Sequence, residues 1–129
     1  MASIFSKIVN GEIPSHKIAE NDEFLAFLDA FPIAKGHTLV IPKREVDYIF
    51  DLDQEEYLRL MLFARSIVPA LEQAVPCNRI GMSVIGLEVP HAHVHLIPLN
   101  SMKDADFSQK IKTSPEELAT IAANIRAGL

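Results

Sequence analysis

The sequence of 129 residues has no tryptophan, a single cysteine and no excess of positive charge. The lone Cys77 allows no internal disulfide and indicates a reducing compartment. Twelve lysines and arginines against 17 aspartates and glutamates give a net charge of −5, which argues against a general nucleic-acid or anionic-membrane surface. There is no signal-peptide core and no apolar run long enough to cross a bilayer. We therefore expect one cytoplasmic domain over residues 1–129, with no nucleic-acid or membrane partner.

Apolar segments separated by turn residues predict an α+β fold with a five-stranded antiparallel sheet and one main helix. Each predicted strand is short, rich in β-branched or aromatic residues, and bounded by glycine, proline, asparagine or aspartate. The predicted strands cover residues 17–20, 24–29, 37–41, 79–85 and 89–97.

Three helices accompany these strands. A short helix over residues 4–9 ends at Gly11. The main helix begins after Asp53, and Pro69 should kink or interrupt it. An additional C-terminal helix begins after Ser114, where serine at the cap and proline at the first helical position form a strong start signal.

The most informative stretch lies between two prolines, where three of the five histidines occupy every second position. Side chains alternate faces along a strand, so an extended chain places His91, His93 and His95 on one face. The apolar residues between them then share the other face and can pack into a core. A row of imidazoles can bind a metal, or it can perform nucleophilic and acid–base catalysis. A third alternative is that the histidines are ordinary surface residues without a function, but their strict alternation argues against it.

Residues 91–97, with histidines alternating with apolar residues, resemble the signature of the histidine-triad family. Residues 4–14, 24–29 and 35–43 are similar to three further stretches of the same family, in its order and spacing. The resemblance covers roughly residues 3–98 and leaves 100–129 as a C-terminal extension that includes a helix. It implies a fold in which two protomers join their sheets and helices in a homodimer.

The resemblance also implies an activity that needs no cofactor. A purine nucleotide would be substrate or product: a nucleoside 5′-monophosphate would be released from a phosphoramidate through a nucleotidyl-histidine intermediate, or from a dinucleoside polyphosphate. His93 would be the nucleophile, and His95 would contact the phosphate and help to protonate the leaving group. His91 would support or orient its neighbours, and His37 would buttress the row of imidazoles.

The same matching implies a nucleotide pocket in which Asp29 accepts the ribose hydroxyls, although a turn role for Asp29 is equally open. For the apolar candidates, ordinary core packing is the alternative. The other candidate pocket residues are Ile4, Phe5 and Ile8 around the base, Phe27, Leu28, Ala30 and Phe31 beside Asp29, Ser83 at the phosphate, and Val89.

Two departures from the family pattern affect these expectations. Ser3 and Ser6 occupy positions where many relatives carry a zinc-binding Cys-x-x-Cys pair, and hydroxyls are poor zinc ligands, so we predict no structural zinc. The loop before the histidines is shortened, with Leu87 where glutamine is usual and Glu88 where some relatives have serine. Fewer polar donors near a phosphate should weaken transition-state stabilisation. By strand alternation, we expect Glu88 to point away from the histidines.

Two other classes of function remain open from the residues alone. The histidine row could belong to a metal-binding protein or metal-dependent enzyme, with His37, His16 or Cys77 as further ligands. The altered loop could instead mark a nucleotide-binding protein with weak catalysis. Sensitivity to a chelator would distinguish the first class, and nucleotide binding without turnover would distinguish the second.

Overall fold

The computed structural model describes residues 2–129, and its elements confirm the α+β class with a five-stranded antiparallel sheet. Two short 3₁₀ turns, Ile49–Asp51 and Met102–Ala105, were not predicted. In chain order the helices and strands are α1 (Ile4–Val9), β1 (Lys17–Glu20), β2 (Phe24–Leu28), β3 (Thr38–Pro42), α2 (Gln54–Ala74), β4 (Arg79–Ser83), β5 (Val94–Leu99) and α3 (Pro115–Ala127). Among the described residues, no helix is both long and apolar enough to cross a bilayer.

The sheet has the order β1-β2-β3-β5-β4, and its two faces pack against different partners. One face, which includes Val40, Val94 and Leu96, forms a common core with the apolar sides of α2 and α3. The other face, which includes Leu39, packs against Phe5 of α1. This division follows from the two-residue period of a strand, and it leaves the α1 side of β3 and β5 less thickly covered.

Each helix begins at a side chain that accepts a hydrogen bond from the first turn. Ser3 caps α1, Asp53 caps α2 and Ser114 caps α3, each accepting from the backbone N–H three residues later. Such caps satisfy amides that have no partner within the helix. The predicted starts of α2 and α3 are therefore confirmed.

Of the two effects expected from Pro69, a kink or an interruption of the main helix, the interruption does not occur, because α2 runs without a break from Gln54 to Ala74. Proline removes one hydrogen bond, the one its own amide would give to the carbonyl of Arg65. Arg65 and Pro69 are both exposed, so water can serve that carbonyl. On the opposite side, Ile67 and Leu71 are fully buried against the sheet and hold the helix in place.

The strand that should carry all three histidines is shorter than predicted. It begins at Val94 instead of residue 89, so only His95 belongs to β5. Proline at position 90 has no amide to give to a ladder, and the N–H of His91 turns back to the carbonyl of Val89 at 2.8 Å. The neighbouring β4 ends at Ser83, opposite His95, and so offers no ladder partner to the preceding residues.

Candidate functional site

The histidines meet on the α1 side of the sheet even though two of them precede the strand. Ala92 and Val94 lie in the core beneath α2 and α3, whereas His93 and His95 face the other way. The ring centroids of His93 and His95 are 4.9 Å apart, and that of Phe5 is 5.0 Å from His93. The alternation of faces predicted from the sequence therefore survives outside the regular ladder.

A backbone amide fixes the proton positions of the first imidazole pair. The N–H of Ile33 donates to Nδ1 of His37 at 3.1 Å, so neutral His37 carries its proton on Nε2. That Nε2 lies 2.9 Å from Nδ1 of His95 and donates to it. Neutral His95 must then carry its proton on Nε2, where it is available as a hydrogen-bond donor.

Neutral His93 carries its proton on Nδ1, whereas His37 and His95 carry theirs on Nε2. Its Nδ1 lies 2.7 Å from the carbonyl oxygen of His91, which can only accept, so Nδ1 carries the proton. In the neutral ring, Nε2 then has a free lone pair. A backbone carbonyl thus prepares His93 as a nucleophile or base, beside the Nε2–H donor of His95.

Both nitrogens of His91 are used by the protein itself. Nε2 donates to the carbonyl of Pro42 at 2.7 Å, and Nδ1 accepts from Oγ of Ser3 at 2.8 Å. His91 is fully buried and has no nitrogen left for a ligand. Its contacts fit the supporting role implied by the family resemblance.

The serines that replace the Cys-x-x-Cys pair belong to the same network. The backbone N–H of Ser3 and Oγ of Ser6 both donate to Oε1 of Glu45, each at 2.6 Å. These bonds lower the pKa of Glu45 to about 2, the backbone bond from Ser3 being the largest cause. Two neutral hydroxyls, a carboxylate and an imidazole nitrogen already in a hydrogen bond do not fit a thiolate-type zinc site.

Burial keeps the paired imidazoles neutral. Desolvation lowers the pKa of His95 to about 3, and the charges of His37, His93 and Lys110 add to the effect. Desolvation likewise lowers the pKa of His37 to about 4, against a smaller raising effect of Asp29. Before ligand binds, His95 is therefore a neutral hydrogen-bond donor at pH 7, and not the charged acid that would most readily protonate a leaving group.

Beside these rings lies a cavity of about 460 Å³. Its wall includes seven of the residues predicted for the site, and it joins the imidazoles to apolar residues of α1. The lining residues are Ile4, Phe5, Asp29, Phe31, Leu39, Ile85, Gly86, Leu87, Glu88, Val89, His93, His95, Phe107 and Lys110.

The remaining predicted pocket residues do not line this cavity. Ile8 and Phe27 lie in the apolar layer between α1 and the sheet, where the Phe27 ring is 5.6 Å from that of Phe5. Leu28 packs on the opposite face with α2 and α3, because it follows Phe27 along a strand. Ala30 is exposed beyond the end of β2. Ser83 pairs with His95 across the ladder but lies outside the lining.

Asp29 has the turn role considered for it, and its carboxylate also lies beside His37. One carboxylate oxygen accepts from the N–H of Phe31 at 2.8 Å, which shapes the turn after β2. The other lies 3.7 Å from Nε2 of His37. Asp29 is thus a turn residue whose carboxylate also reaches the cavity.

The metal hypothesis based on the histidine row is not supported by the placement of the ligands. His91 has no free nitrogen, so the three alternating imidazoles do not form one ligand set. Within the part of the chain that the structure describes, the one cluster spaced to hold an ion is Asp29, His37 and His95, whose ligand atoms lie within 4.8 Å of one another. Neither His16 nor Cys77 belongs to it.

Among the cavity residues that sequence reasoning missed or misplaced, three carry a charge or lie against a triad histidine. Glu88 is among the lining residues, and strand alternation does not apply to the irregular segment that carries it. Phe107 and Lys110 come from the extension after the last strand. The Phe107 ring lies 4.8 Å from that of His95. No motif or periodicity marks this segment.

A family profile described as the HIT domain matches residues 10–102. The chain belongs to the histidine triad, or HIT, family. It is 40% identical over 100 residues to an uncharacterised HIT-like protein of Mycoplasma genitalium, covering 74% of this chain and 71% of that protein. It is 33% identical over 131 residues to the adenosine 5′-monophosphoramidase of Saccharomyces cerevisiae, covering 93% and 83%.

The fold is also that of known HIT proteins. A crystal structure of a Hit-like protein from Bartonella henselae superposes with a TM-score of 0.85 at 33% identity, covering 98% of this chain and 96% of that one. The HIT family comprises nucleotide-binding proteins and nucleotide hydrolases. In this HIT protein, His93 and His95 of the triad both line the cavity of about 460 Å³.

Proposed function

We propose that this HIT protein hydrolyses nucleoside 5′-phosphoramidates through a nucleotidyl intermediate on His93. The observation that carries the proposal is the 2.7 Å bond between Nδ1 of His93 and the carbonyl of His91, which in the neutral ring leaves the lone pair on Nε2, in a residue that lines the cavity. A neutral imidazole is a competent nucleophile at pH 7 without a separate base.

The proposed reaction has two displacements at one phosphorus. Nε2 of His93 attacks the α-phosphorus, and the nitrogen of the leaving group departs with the electron pair of the P–N bond and takes a proton from solvent. Water then attacks the same phosphorus, gives up a proton and breaks the P–N bond to His93. The products are the nucleoside monophosphate, the amine and neutral His93. The Nε2–H of His95 donates to a phosphoryl oxygen in both steps.

The rest of the cavity supports a nucleotide as the substrate. Its volume of about 460 Å³ is that of a small-molecule site. Ile4, Phe5 and Leu39 offer an apolar wall for a purine, and Asp29 provides a carboxylate for the ribose hydroxyls. The similarity to the yeast adenosine 5′-monophosphoramidase over most of both chains favours adenine as the base.

The test is hydrolysis of adenosine 5′-phosphoramidates of lysine or tryptamine, with and without EDTA. The variants are His93→Ala and, as a matched control, His16→Ala, which removes a histidine outside the cavity. We expect chelator-resistant turnover in the wild type and the control, and a loss of at least ~1000-fold in His93→Ala. Turnover that survives in His93→Ala, or that EDTA abolishes, would contradict the proposal.

We also propose that two copies pair through the edge of the sheet formed by β4. An apolar groove of about 350 Å³ lies beside this edge, lined in part by Tyr48, Phe50, Tyr57 and Leu87. Leu87 is 89% exposed and Phe50 66% exposed, although both are apolar. Contiguous exposed apolar residues next to an unpaired edge strand favour a self-association surface, in keeping with the homodimer implied by the family resemblance.

A further inference from the structure

The charges around the cavity are unusual for a site that binds an anion. Two acidic residues, Asp29 and Glu88, are among those that line it, and burial holds His37 and His95 in their neutral forms. Among the described lining residues, Lys110 is the one side chain with a permanent positive charge. A phosphate entering this cavity would meet two negative groups and one positive group.

The segment that carries Lys110 is anchored on both sides of it. Before it, the Phe107 ring packs edge-on against His95, with centroids 4.8 Å apart. After it, the N–H of Ile111 donates to the carbonyl of Pro32 at 2.9 Å. Lys110 is exposed and held between these two contacts, at the rim of the cavity near His37 and His95.

The loop before the histidines supplies few donors to a phosphate. Leu87 offers no polar side chain, and the carboxylate of Glu88 repels an anion. The missing positive charge comes instead from beyond residue 102, where the family match ends. A lysine ammonium is a compact charge with three donors on a flexible stem, so it can reach a phosphoryl oxygen from the rim.

We propose that Lys110 binds the phosphate of the nucleotide and makes this cavity select nucleotides over nucleosides. The inference rests on the proposed function, because it assigns a phosphate-binding residue to the same site. Lys110 and His95 then contact the phosphoryl group from the same end of the cavity, one with a charge and the other with a neutral N–H. Lys110 is a specificity-determining residue contributed by the C-terminal extension.

Isothermal titration of the full chain with AMP and with adenosine tests this assignment. We expect Lys110→Gln to weaken AMP binding by about 10-fold, the scale of a hydrogen bond to a charged group, and to leave adenosine binding unchanged. Lys110→Arg should retain most of the AMP affinity, because it keeps the charge. The matched control is Lys112→Gln, which removes a lysine of the same segment outside the cavity lining and should change neither affinity.

The preference of the wild type for AMP over adenosine should also fall as salt is raised from 50 to 500 mM, and this dependence should be smaller in Lys110→Gln. Equal losses for AMP and adenosine, or an unchanged AMP affinity in Lys110→Gln, would overturn the inference while leaving the proposed hydrolysis intact. Failure of the wild type to bind AMP would overturn both. Thermal unfolding of each variant verifies that the fold is retained.

Discussion

Oγ of Ser3 and Nδ1 of His91 lie 2.8 Å apart, and this bond joins the start of α1 to the first histidine of the triad. The same oxygen caps α1 by accepting from the N–H of Ser6 at 3.0 Å. The backbone N–H of Ser3 donates to Glu45, just after β3. One buried serine therefore links a helix, a strand end and the histidine segment by hydrogen bonds.

Substituting Ser3→Ala should lower the free energy of unfolding by about 2 kcal/mol, because it removes a helix cap and leaves the buried Nδ1 of His91 with only the longer 3.4 Å contact to Oγ of Ser6. The measurement is equilibrium unfolding in urea. The matched control is Ser114→Ala, which removes the exposed cap of α3 and no buried partner. It should cost about 1 kcal/mol. A smaller loss for Ser3→Ala than for the control would contradict this account.

The Ser3, Ser6, Glu45 and His91 network also predicts how the chain responds to metal. EDTA should not change the thermal stability of the wild type, since hydroxyls are poor zinc ligands. The double variant Ser3→Cys/Ser6→Cys should bind about one zinc per chain, because two thiolates then stand beside Nδ1 of His91 and the Glu45 carboxylate. Thermal unfolding with and without EDTA measures the first effect. Elemental analysis after purification in zinc-containing buffer measures the zinc content of the wild type and of the double variant. Stoichiometric zinc in the wild type would contradict the prediction that this chain has no structural zinc site.

Acid should destabilise the protein through the buried imidazole pair. The pKa of His37 is lowered to about 4 and that of His95 to about 3, both below the unfolded value of 6.5. Between pH 6.5 and those values the unfolded chain binds more protons than the folded one. The stability that the two neutral imidazoles contribute is therefore fully present above pH 6.5 and is lost as the pH falls below it. NMR titration of the ring nuclei of His37 and His95 measures the two pKa values directly. The pH dependence of unfolding should be shallower in His37→Gln, and titration of either ring above pH 6 would contradict the prediction.

Replacing the proposed nucleophile by a smaller residue allows a chemical test of its role. His93→Gly should lose at least ~1000-fold in phosphoramidate hydrolysis, since no other group is placed to form the intermediate. Free imidazole in millimolar amounts should restore part of the rate by entering the vacated space beside Phe5. His95→Gly should not be rescued in the same way, because its ring acts as a donor held by His37. Absence of rescue together with an intact fold would count against covalent catalysis by His93.

Features determined by nearby residues could be predicted from the sequence, and features determined by distant packing could not. The caps at Asp53 and Ser114 were predictable because each acts within one helical turn. The strand at Val94 was predicted five residues too early because Pro90 and the end of β4 remove ladder partners that local pattern does not reveal. Lys110 reaches the cavity because its neighbours Ile111 and Phe107 contact Pro32 and His95, which are more than ten residues away in sequence.

The proposed dimer gives a test that does not depend on catalysis. Phe50→Glu places a charge in the apolar groove beside β4 and should weaken dimerisation by at least ~30-fold, the effect of losing a central aromatic contact. Leu129→Glu is the control, since Leu129 is also apolar and 57% exposed but lies outside the groove. Light scattering over a concentration series should show a dimer for the wild type and for the control, with monomer for Phe50→Glu. A wild type that remains monomeric at high micromolar concentration would contradict the proposed dimer. A dimer of unchanged affinity in Phe50→Glu would place the interface elsewhere on the molecule.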